Sequence, residues 1–248
     1  MTIYEIILMF IFYSIFGWSI EVVCSLITEK KFVNRGFLIG PYCPIYGFGG
    51  VLITLYLSKY SNNPITLFVM AVFICAVLEY MTSYLMEKLF NARWWDYSTK
   101  KFKINGRICL EILSLFGLLG CIGIYIINPI IYKILSFLSP TVTMILAVFV
   151  LLVLVIDCCV SFHIISTFKT ASFQFKNKDN TEEITKKVKE KLYKMSPLTK
   201  RLVKAFPDVK AVIINFKNEL IKTKNELKKV KKDLKKTKKK LKKIEKKK

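Results

Sequence analysis

The sequence contains few of the residues on which catalytic and metal sites depend. It has a single histidine, His163, and its seven cysteines are spread along the chain without a Cys-x-x-Cys pair. It contains neither a Walker A sequence nor a GxGxxG motif, and its Ser, His and Asp residues lack the spacing of a catalytic triad. We therefore expect buried free thiols, assign no metal ligand, cofactor or catalytic residue, and expect no ATP hydrolysis by a P-loop in this chain.

Acidic residues are also scarce, and the positive charge is concentrated in one part of the chain. The net charge is +23, although 53% of the residues are hydrophobic and the mean hydropathy is +0.40. Residues 1–168 carry a net charge of only +3, whereas residues 169–248 carry +20. A soluble protein with one basic nucleic-acid-binding patch would not divide in this way, so we expect no specific nucleic acid as a partner. The division instead indicates an apolar membrane domain, in contact with lipids, followed by a basic tail.

Five segments are long and apolar enough to cross a bilayer as helices, which takes about 20 residues each. Because all lysines and arginines except Lys59 and Lys133 lie in loops 28–36 and 88–107 or in the tail, the positive-inside rule places these regions in the cytoplasm. The sequence thus predicts an all-α, multi-pass protein of the cell membrane, with its amino terminus outside and its carboxy-terminal tail in the cytoplasm. The predicted spans are residues 3–27, 37–58, 65–89, 108–127 and 141–168.

The second of these segments is predicted to be irregular. Residues 34–50 contain five glycines and two prolines. Non-helical backbone at membrane depth is tolerated only where it is buried in protein or lines a cavity. One interpretation is a re-entrant or broken helix whose free backbone groups face a site. The alternative is a kinked helix that packs closely through its glycines.

The basic tail divides into two predicted parts after the five-helix transmembrane domain of residues 1–168. Residues 169–212 form a basic amphipathic segment, with Asn180 and Glu183 as a capping pair, and such a helix suits an anionic membrane surface. Residues 213–248 show a heptad pattern typical of a coiled coil. Lysines flank nearly every apolar position and would repel one another in a self-paired dimer. An acidic partner helix, a lipid surface, a solvated single helix and a tail that only orients the protein therefore remain open.

Ionisable residues inside the apolar spans are the strongest indication of a functional site, because they are costly in lipid and tend to face protein or a water-filled cavity. Glu21 and Glu79 lie in the halves of their spans nearest the predicted cytoplasmic side. We predict a polar cluster in which these carboxylates lie deeper in the membrane and guanidinium groups lie nearer the cytoplasmic face. The candidate substrate-binding or pathway residues are Glu21, Asn34, Arg35, Glu79, Glu87, Arg93, Trp94, Trp95, Asp96, Asn105 and Arg107.

Two interpretations of this cluster stay open. The cluster can bind a polar substrate or a lipid headgroup, since Arg suits planar anionic partners such as carboxylate or phosphate. Alternatively, its acids and arginines only pair with one another and hold the helices together. Trp94 and Trp95 have a structural explanation of their own, because aromatic residues concentrate at membrane interfaces.

The chain carries four short motifs, Gly17-Trp18-Ser19-Ile20-Glu21, Asn34-Arg35-Gly36-Phe37-Leu38, Arg93-Trp94-Trp95-Asp96-Tyr97-Ser98 and Asn105-Gly106-Arg107-Ile108-Cys109-Leu110, with Glu79 between the second and the third. Taken together, they resemble one family of small membrane proteins, the ABC-transporter type IV permease-like proteins. They run in the family's order over residues 1–135, and the tail lies outside the resemblance. The resemblance implies a permease-like transport component. With five spans per chain, such a component would oligomerise and would act with a separate ATPase subunit.

Three functions remain in competition at this point. The first is the permease-like component just described. The second is a membrane-embedded enzyme or lipid-headgroup-binding protein, in which Glu21 or Glu79 acts as acid or base and Arg93 and Arg107 hold a phosphate. The third is a membrane scaffold that recruits a cytoplasmic partner through its coiled coil. The sequence does not decide whether the protein is an enzyme.

Overall fold

Eight α-helices make up most of the chain that the computed structural model describes, which is residues 1–174, 181–206 and 209–211. All of these residues belong to one unit, Met1–Val212, and the coiled coil predicted for residues 213–248 lies outside the described residues. The helices are α1 (Ile3–Glu29), α2 (Pro44–Leu57), α3 (Pro64–Phe90), α4 (Leu110–Ile122), α5 (Asn128–Ser136), α6 (Pro140–Gln174), α7 (Thr181–Met195) and α8 (Pro197–Ala205).

Short elements connect these helices. A 3₁₀ turn, Ser58–Tyr60, follows α2, and a π-helical turn, Gly123–Ile127, joins α4 to α5 into one continuous rod. Four strands of two residues each form two antiparallel pairs, β1 with β4 and β2 with β3. The strands are β1 (Ala92–Arg93), β2 (Lys103–Ile104), β3 (Ile108–Cys109) and β4 (Lys210–Ala211).

Four helical stretches of the described chain are long and apolar enough to cross a membrane, as expected of a multi-pass membrane protein. They overlap the first, third, fourth and fifth predicted spans. The second predicted span differs, because only α2 is helical there. Its 14 residues extend about 21 Å, less than the roughly 30 Å of a bilayer core. The four stretches are Ile3–Glu29, Pro64–Phe90, Leu110–Ser136 and Pro140–Thr167.

The ends of the long helices follow from local sequence signals. Thr2 and Glu5 form a capping box at the start of α1, and Asn63 caps α3, which has proline at its first position. Both helices end at residues in the left-handed conformation, Lys30 with φ 53° and Asn91 with φ 52°. These reversals send the chain back across one end of the bundle, where loops 30–43 and 91–109 lie. Because most of the basic residues outside the tail are there, we call it the basic end.

The glycines of α1 and α2 allow these two helices to pack at very short range. A Cβ atom built on Gly17 would lie 2.1 Å from Cγ of Tyr46, and one built on Gly50 would lie 2.2 Å from Cγ of Tyr13. In the half of the bundle farther from the basic end, the hydroxyl group of Tyr13 donates a hydrogen bond of 2.7 Å to the buried Asn128. Thr54 also contacts Asn128, so α1, α2 and α5 are joined there.

The first part of the tail packs against the rest of the described chain. Val188 and Leu192 on α7 are fully buried, as are Leu202 and Ala205 on α8. These apolar faces pack against each other and against α6, and β4 pairs with β1 beside the basic end. The predicted amphipathic helix is thus present as α7, and its Val188 and Leu192 are covered by protein.

Candidate functional site

Glu79 lies well inside a membrane-spanning helix. It is 11 residues from the end of α3, about 16 Å along the helix axis, and its side chain belongs to the buried core with 4% exposure. The hydroxyl group of Tyr97 donates a hydrogen bond of 3.0 Å to its Oε1 atom. Its Oε2 atom is buried and has no hydrogen-bond partner among the described residues. Leaving a buried acceptor unsatisfied costs about 1–3 kcal/mol, so this oxygen requires an explanation.

Tyr97 reaches Glu79 because the loop after α3 folds back on itself. The backbone N–H group of Tyr97 donates to the carbonyl oxygen of Gly106 over 2.8 Å. Gly106 has φ +66°, and a Cβ atom there would lie 2.8 Å from the Asp96 carboxylate, so only glycine fits this turn. Burial raises the pKa of the Tyr97 phenol well above its ordinary value, and the nearby carboxylates of Glu79 and Glu21 raise it further. Tyr97 therefore stays protonated and remains a donor.

Glu21 forms a second carboxylate–tyrosine pair beside the first. It lies eight residues before the end of α1, about 12 Å from that end. The hydroxyl group of Tyr46, in the first turn of α2, donates a hydrogen bond of 2.6 Å to Glu21. Glu21 is near enough to both Tyr97 and Glu79 to act on them electrostatically. The four side chains form one group, which we call the carboxylate–tyrosine cluster: Glu21, Tyr46, Glu79 and Tyr97.

A half-enclosed cavity of about 80 Å³ adjoins this cluster. It lies among α1, α2, α3 and α4, and its walls are almost entirely apolar. Its polar lining residues are Tyr13, Tyr46, Cys75 and Glu79, and the glycine-rich side of α2, with Gly49 and Gly50, forms another part of the wall. The cavity therefore combines an apolar body with one buried carboxylate.

The predicted arginines do not contact Glu21 or Glu79. Arg93 and Arg107 both pair with the same Oε2 atom of Glu87, at 3.1 and 2.9 Å. Arg107 also donates to Ser83 over 3.1 Å, and Arg35 pairs with Glu29. The structure thus separates two groups that the sequence analysis placed together: tyrosines contact the deep carboxylates, and arginines contact carboxylates near the helix ends.

The other predicted site residues hold the two loops in shape. Asn34 accepts a hydrogen bond of 2.8 Å from the Trp18 indole, and Asn105 donates to the hydroxyl group of Tyr80 over 3.0 Å. The Trp95 indole donates to the carbonyl oxygen of Arg107 over 3.2 Å.

Trp94 is buried rather than placed at a lipid interface, with 3% exposure. It packs edge-to-face against Phe37 at 5.0 Å and against Phe206 at 5.3 Å between ring centroids. Phe206 follows α8 directly, and Arg201 on α8 donates to the carbonyl oxygens of Gly36 and Phe37. The first part of the tail therefore packs on part of the basic end.

Asp157 is an ionisable residue that the site prediction omitted. It lies within the membrane-spanning part of α6, and its carboxylate accepts hydrogen bonds from the N–H groups of Ile39 and Gly40, at 2.9 and 2.7 Å. The hydroxyl groups of Tyr42 and Ser161 also donate to it, at 2.6 and 2.7 Å. This single side chain fixes the non-helical segment before α2. Two signals could have revealed it: an aspartate inside an apolar span needs donors, and a Gly-Pro-rich loop has free N–H groups to offer.

The described residues include no group of three or more His, Cys, Asp or Glu side chains that could hold a metal ion.

One family model, described as "Putative ABC-transporter type IV", matches residues 8–162, which is more than half of the chain. The chain belongs to this family. The match covers α1 to α5 and most of the membrane-spanning part of α6, and it includes the whole carboxylate–tyrosine cluster. No significant match was found among curated proteins or among solved structures.

Proposed function

We propose that the protein is the membrane-embedded, permease-like component of an ABC-type transport system, with the carboxylate–tyrosine cluster as the polar part of its pathway. One observation carries this proposal. Glu79 is buried inside a membrane-spanning helix, yet one of its carboxylate oxygens has no partner among the described residues. A carboxylate that only held helices together would have its acceptor positions filled, as buried polar groups normally do. The family description supports the transport context.

We also propose that the chain crosses the membrane five times. The start of α2 lies against the middle of α1 through Tyr46 and Gly17, and its last residue, Leu57, packs with Leu67 near the start of α3. Loop residues 37–43, held by Asp157, would complete the crossing that α2 is too short to make alone. With five crossings and the positive-inside rule, the basic end faces the cytoplasm.

Arg93 and Arg107 serve in this proposal as braces of the basic end. They already share Glu87, and Arg107 is only 7% exposed. Binding a phosphate there would require both guanidinium groups to leave the Glu87 carboxylate, whose side chain is 15% exposed. The headgroup-binding alternative is therefore less well supported than a pathway through Glu21 and Glu79.

The transport proposal requires a separate ATPase, because this sequence has no Walker A motif. It also requires further subunits, since five crossings are few for a complete pathway. A second copy of the chain is the simplest addition. The basic end, with the first part of the tail packed on it, is the surface that a cytoplasmic ATPase would meet.

The test is an isolation of the full-length, tagged chain from the membranes of its natural host, followed by reconstitution in proteoliposomes. We expect a protein with ATPase activity to co-purify, and we expect Glu79→Gln to alter that ATPase activity after reconstitution. Glu111→Gln is the matched control, because Glu111 is an exposed glutamate that pairs with Lys100. Isolation of the chain without any ATPase activity, from membranes in which it is abundant, would contradict the proposal.

A further inference from the structure

The cavity beside Glu79 has a chemistry that selects a ligand class. Its wall is almost entirely apolar, and Glu79 is the one carboxylate among the residues that line it. Glu79 is only 4% exposed, and its Oε2 atom is buried and lacks a hydrogen-bond partner among the described residues. A ligand that complements this site needs a hydrogen-bond donor at one end and an apolar body behind it.

The charge around Glu79 favours a cationic donor. Glu21 is the charged side chain that acts on Glu79 electrostatically, and it has the same sign. The guanidinium groups of Arg93 and Arg107 pair with Glu87 instead. Two carboxylates therefore share a low-dielectric region in which no described cation contacts them, and a bound ammonium group would compensate that charge while donating to the free oxygen.

The aromatic side chains next to the cluster also suit a cation. Tyr46 and Phe116 both line the cavity and pack edge-to-face, with ring centroids 5.8 Å apart. Ring faces attract ammonium groups, most strongly where water is excluded. An anionic headgroup would meet the opposite conditions, with repulsion from the carboxylates and from the ring faces.

The cavity reaches a residue at the outer surface of the helices. Phe16 of α1 lines the cavity and is also 37% exposed. An elongated molecule could therefore place its head in the cavity while its tail stays in the bilayer. A fully water-soluble cation has no apolar part to bury against this wall, so the wall would not contribute to its binding.

From these observations we propose that the cavity binds an amphiphilic amine, whose ammonium group contacts the free oxygen of Glu79 and whose apolar part lies against the glycine-rich side of α2. The inference rests on the proposed function in that it names the ligand class of the same site. Binding can be measured without transport, however, so the two can fail separately.

The experiment uses the full-length protein in lipid nanodiscs, with radiolabelled n-octylamine as the probe in equilibrium dialysis and empty nanodiscs as the background. We expect saturable binding of octylamine. The neutral probe n-octanol and the anionic probe octanoate should bind about tenfold more weakly or worse, because each lacks the charge-assisted hydrogen bond.

Two variants separate charge from shape. Glu79→Gln removes the charge at nearly constant volume and should weaken octylamine binding about tenfold or more, whereas the exposed control Glu111→Gln should not change it. Gly49→Leu should also block binding, because a Cβ atom at Gly49 meets nothing closer than 3.8 Å and its side chain would enter the cavity. Size-exclusion profiles and melting temperatures would show that each variant is folded.

Several results would overturn the inference. Equal binding of octylamine and octanol would show a purely apolar cavity, and unchanged binding in a folded Glu79→Gln variant would remove the carboxylate from the site. Displacement of octylamine by sodium chloride but not by choline chloride of the same ionic strength would indicate a site for a bare inorganic cation. If no probe binds while the reconstituted ATPase activity still responds to Glu79→Gln, the ligand class is wrong and the proposed function stands.

Discussion

Two carboxylates inside the membrane-spanning helices, Asp157 and Glu79, have very different surroundings. The Asp157 carboxylate accepts four hydrogen bonds, two from backbone N–H groups and two from hydroxyl groups. Glu79 accepts one, from Tyr97, and keeps an oxygen atom without a partner in the described chain. Burying either carboxylate inside a membrane costs free energy, but only for Asp157 do hydrogen-bond donors of the described chain offset that cost.

The number of hydrogen bonds that each carboxylate accepts distinguishes a structural charge from a functional one in this bundle. Asp157 holds a loop that cannot satisfy its own backbone groups, so its removal should affect folding. Glu79 accepts only the hydrogen bond from Tyr97, so its removal should affect binding or transport more than folding. Each of the following predictions tests whether Asp157 and Glu79 differ in this way.

The largest loss of stability is expected from Asp157→Ala. Four donors would lose their acceptor, and because hydrogen bonds to a charged group contribute roughly 1.5–3 kcal/mol each, and less where they are exposed, the total should reach about 4 kcal/mol or more. Unfolding in mixed micelles with increasing SDS would measure it. Ser161→Ala is the control, since it removes only one of the four donors and should cost about 1 kcal/mol. Similar losses in the two variants would contradict a structural role for Asp157.

Glu87→Gln should cost slightly less, about 3 kcal/mol, because it leaves two arginines without their shared carboxylate. Arg107 is the more buried of the two, so the double variant Glu87→Gln with Arg107→Met should recover part of the loss. The same SDS titration provides the double-mutant cycle. Additive losses would mean that the pair contributes nothing beyond its separate residues.

The sequence predicted some of these features because they depend on local composition. The apolar length of each segment was enough to predict four helices that can cross a membrane, since the bilayer sets that length. Glu21 and Glu79 stood out because a charged residue within such a segment is rare. The break before α2 followed from Gly40, Pro41 and Pro44.

The partners of these residues could not be predicted, because they depend on distant contacts. Asp157 binds a loop more than 100 residues earlier in the chain, a contact that no spacing reveals. Arg93 meets Glu87 because the left-handed residue Asn91 turns the chain back over the end of α3. An amphipathic helix such as α7 suits a membrane surface, but its apolar face has the same composition whether lipid or another helix covers it.

Tyr97→Phe should cost about 1–2 kcal/mol, because it removes the hydrogen bond to Glu79. It should also change the response to alkali. Since the pKa of Tyr97 is raised in the folded state, its contribution is complete below the unfolded pKa of about 10 and is lost as the pH rises above it. Wild-type stability should therefore fall above about pH 10, and less steeply in Tyr97→Phe. Tyr56→Phe, at a 62% exposed tyrosine, should leave the stability at neutral pH unchanged.

Glu79→Gln should have the smallest effect on stability and is the most informative variant. Gln keeps an oxygen that can accept from Tyr97 and removes a charge that lies near Glu21, so the unfolding free energy should stay within about 1 kcal/mol of wild type or rise. A protein that is as stable without this carboxylate has no structural reason to bury it. If Glu79→Gln instead destabilises the bundle as much as Asp157→Ala does, Glu79 is a structural residue like Asp157, and the assignment of a pathway to this cluster fails.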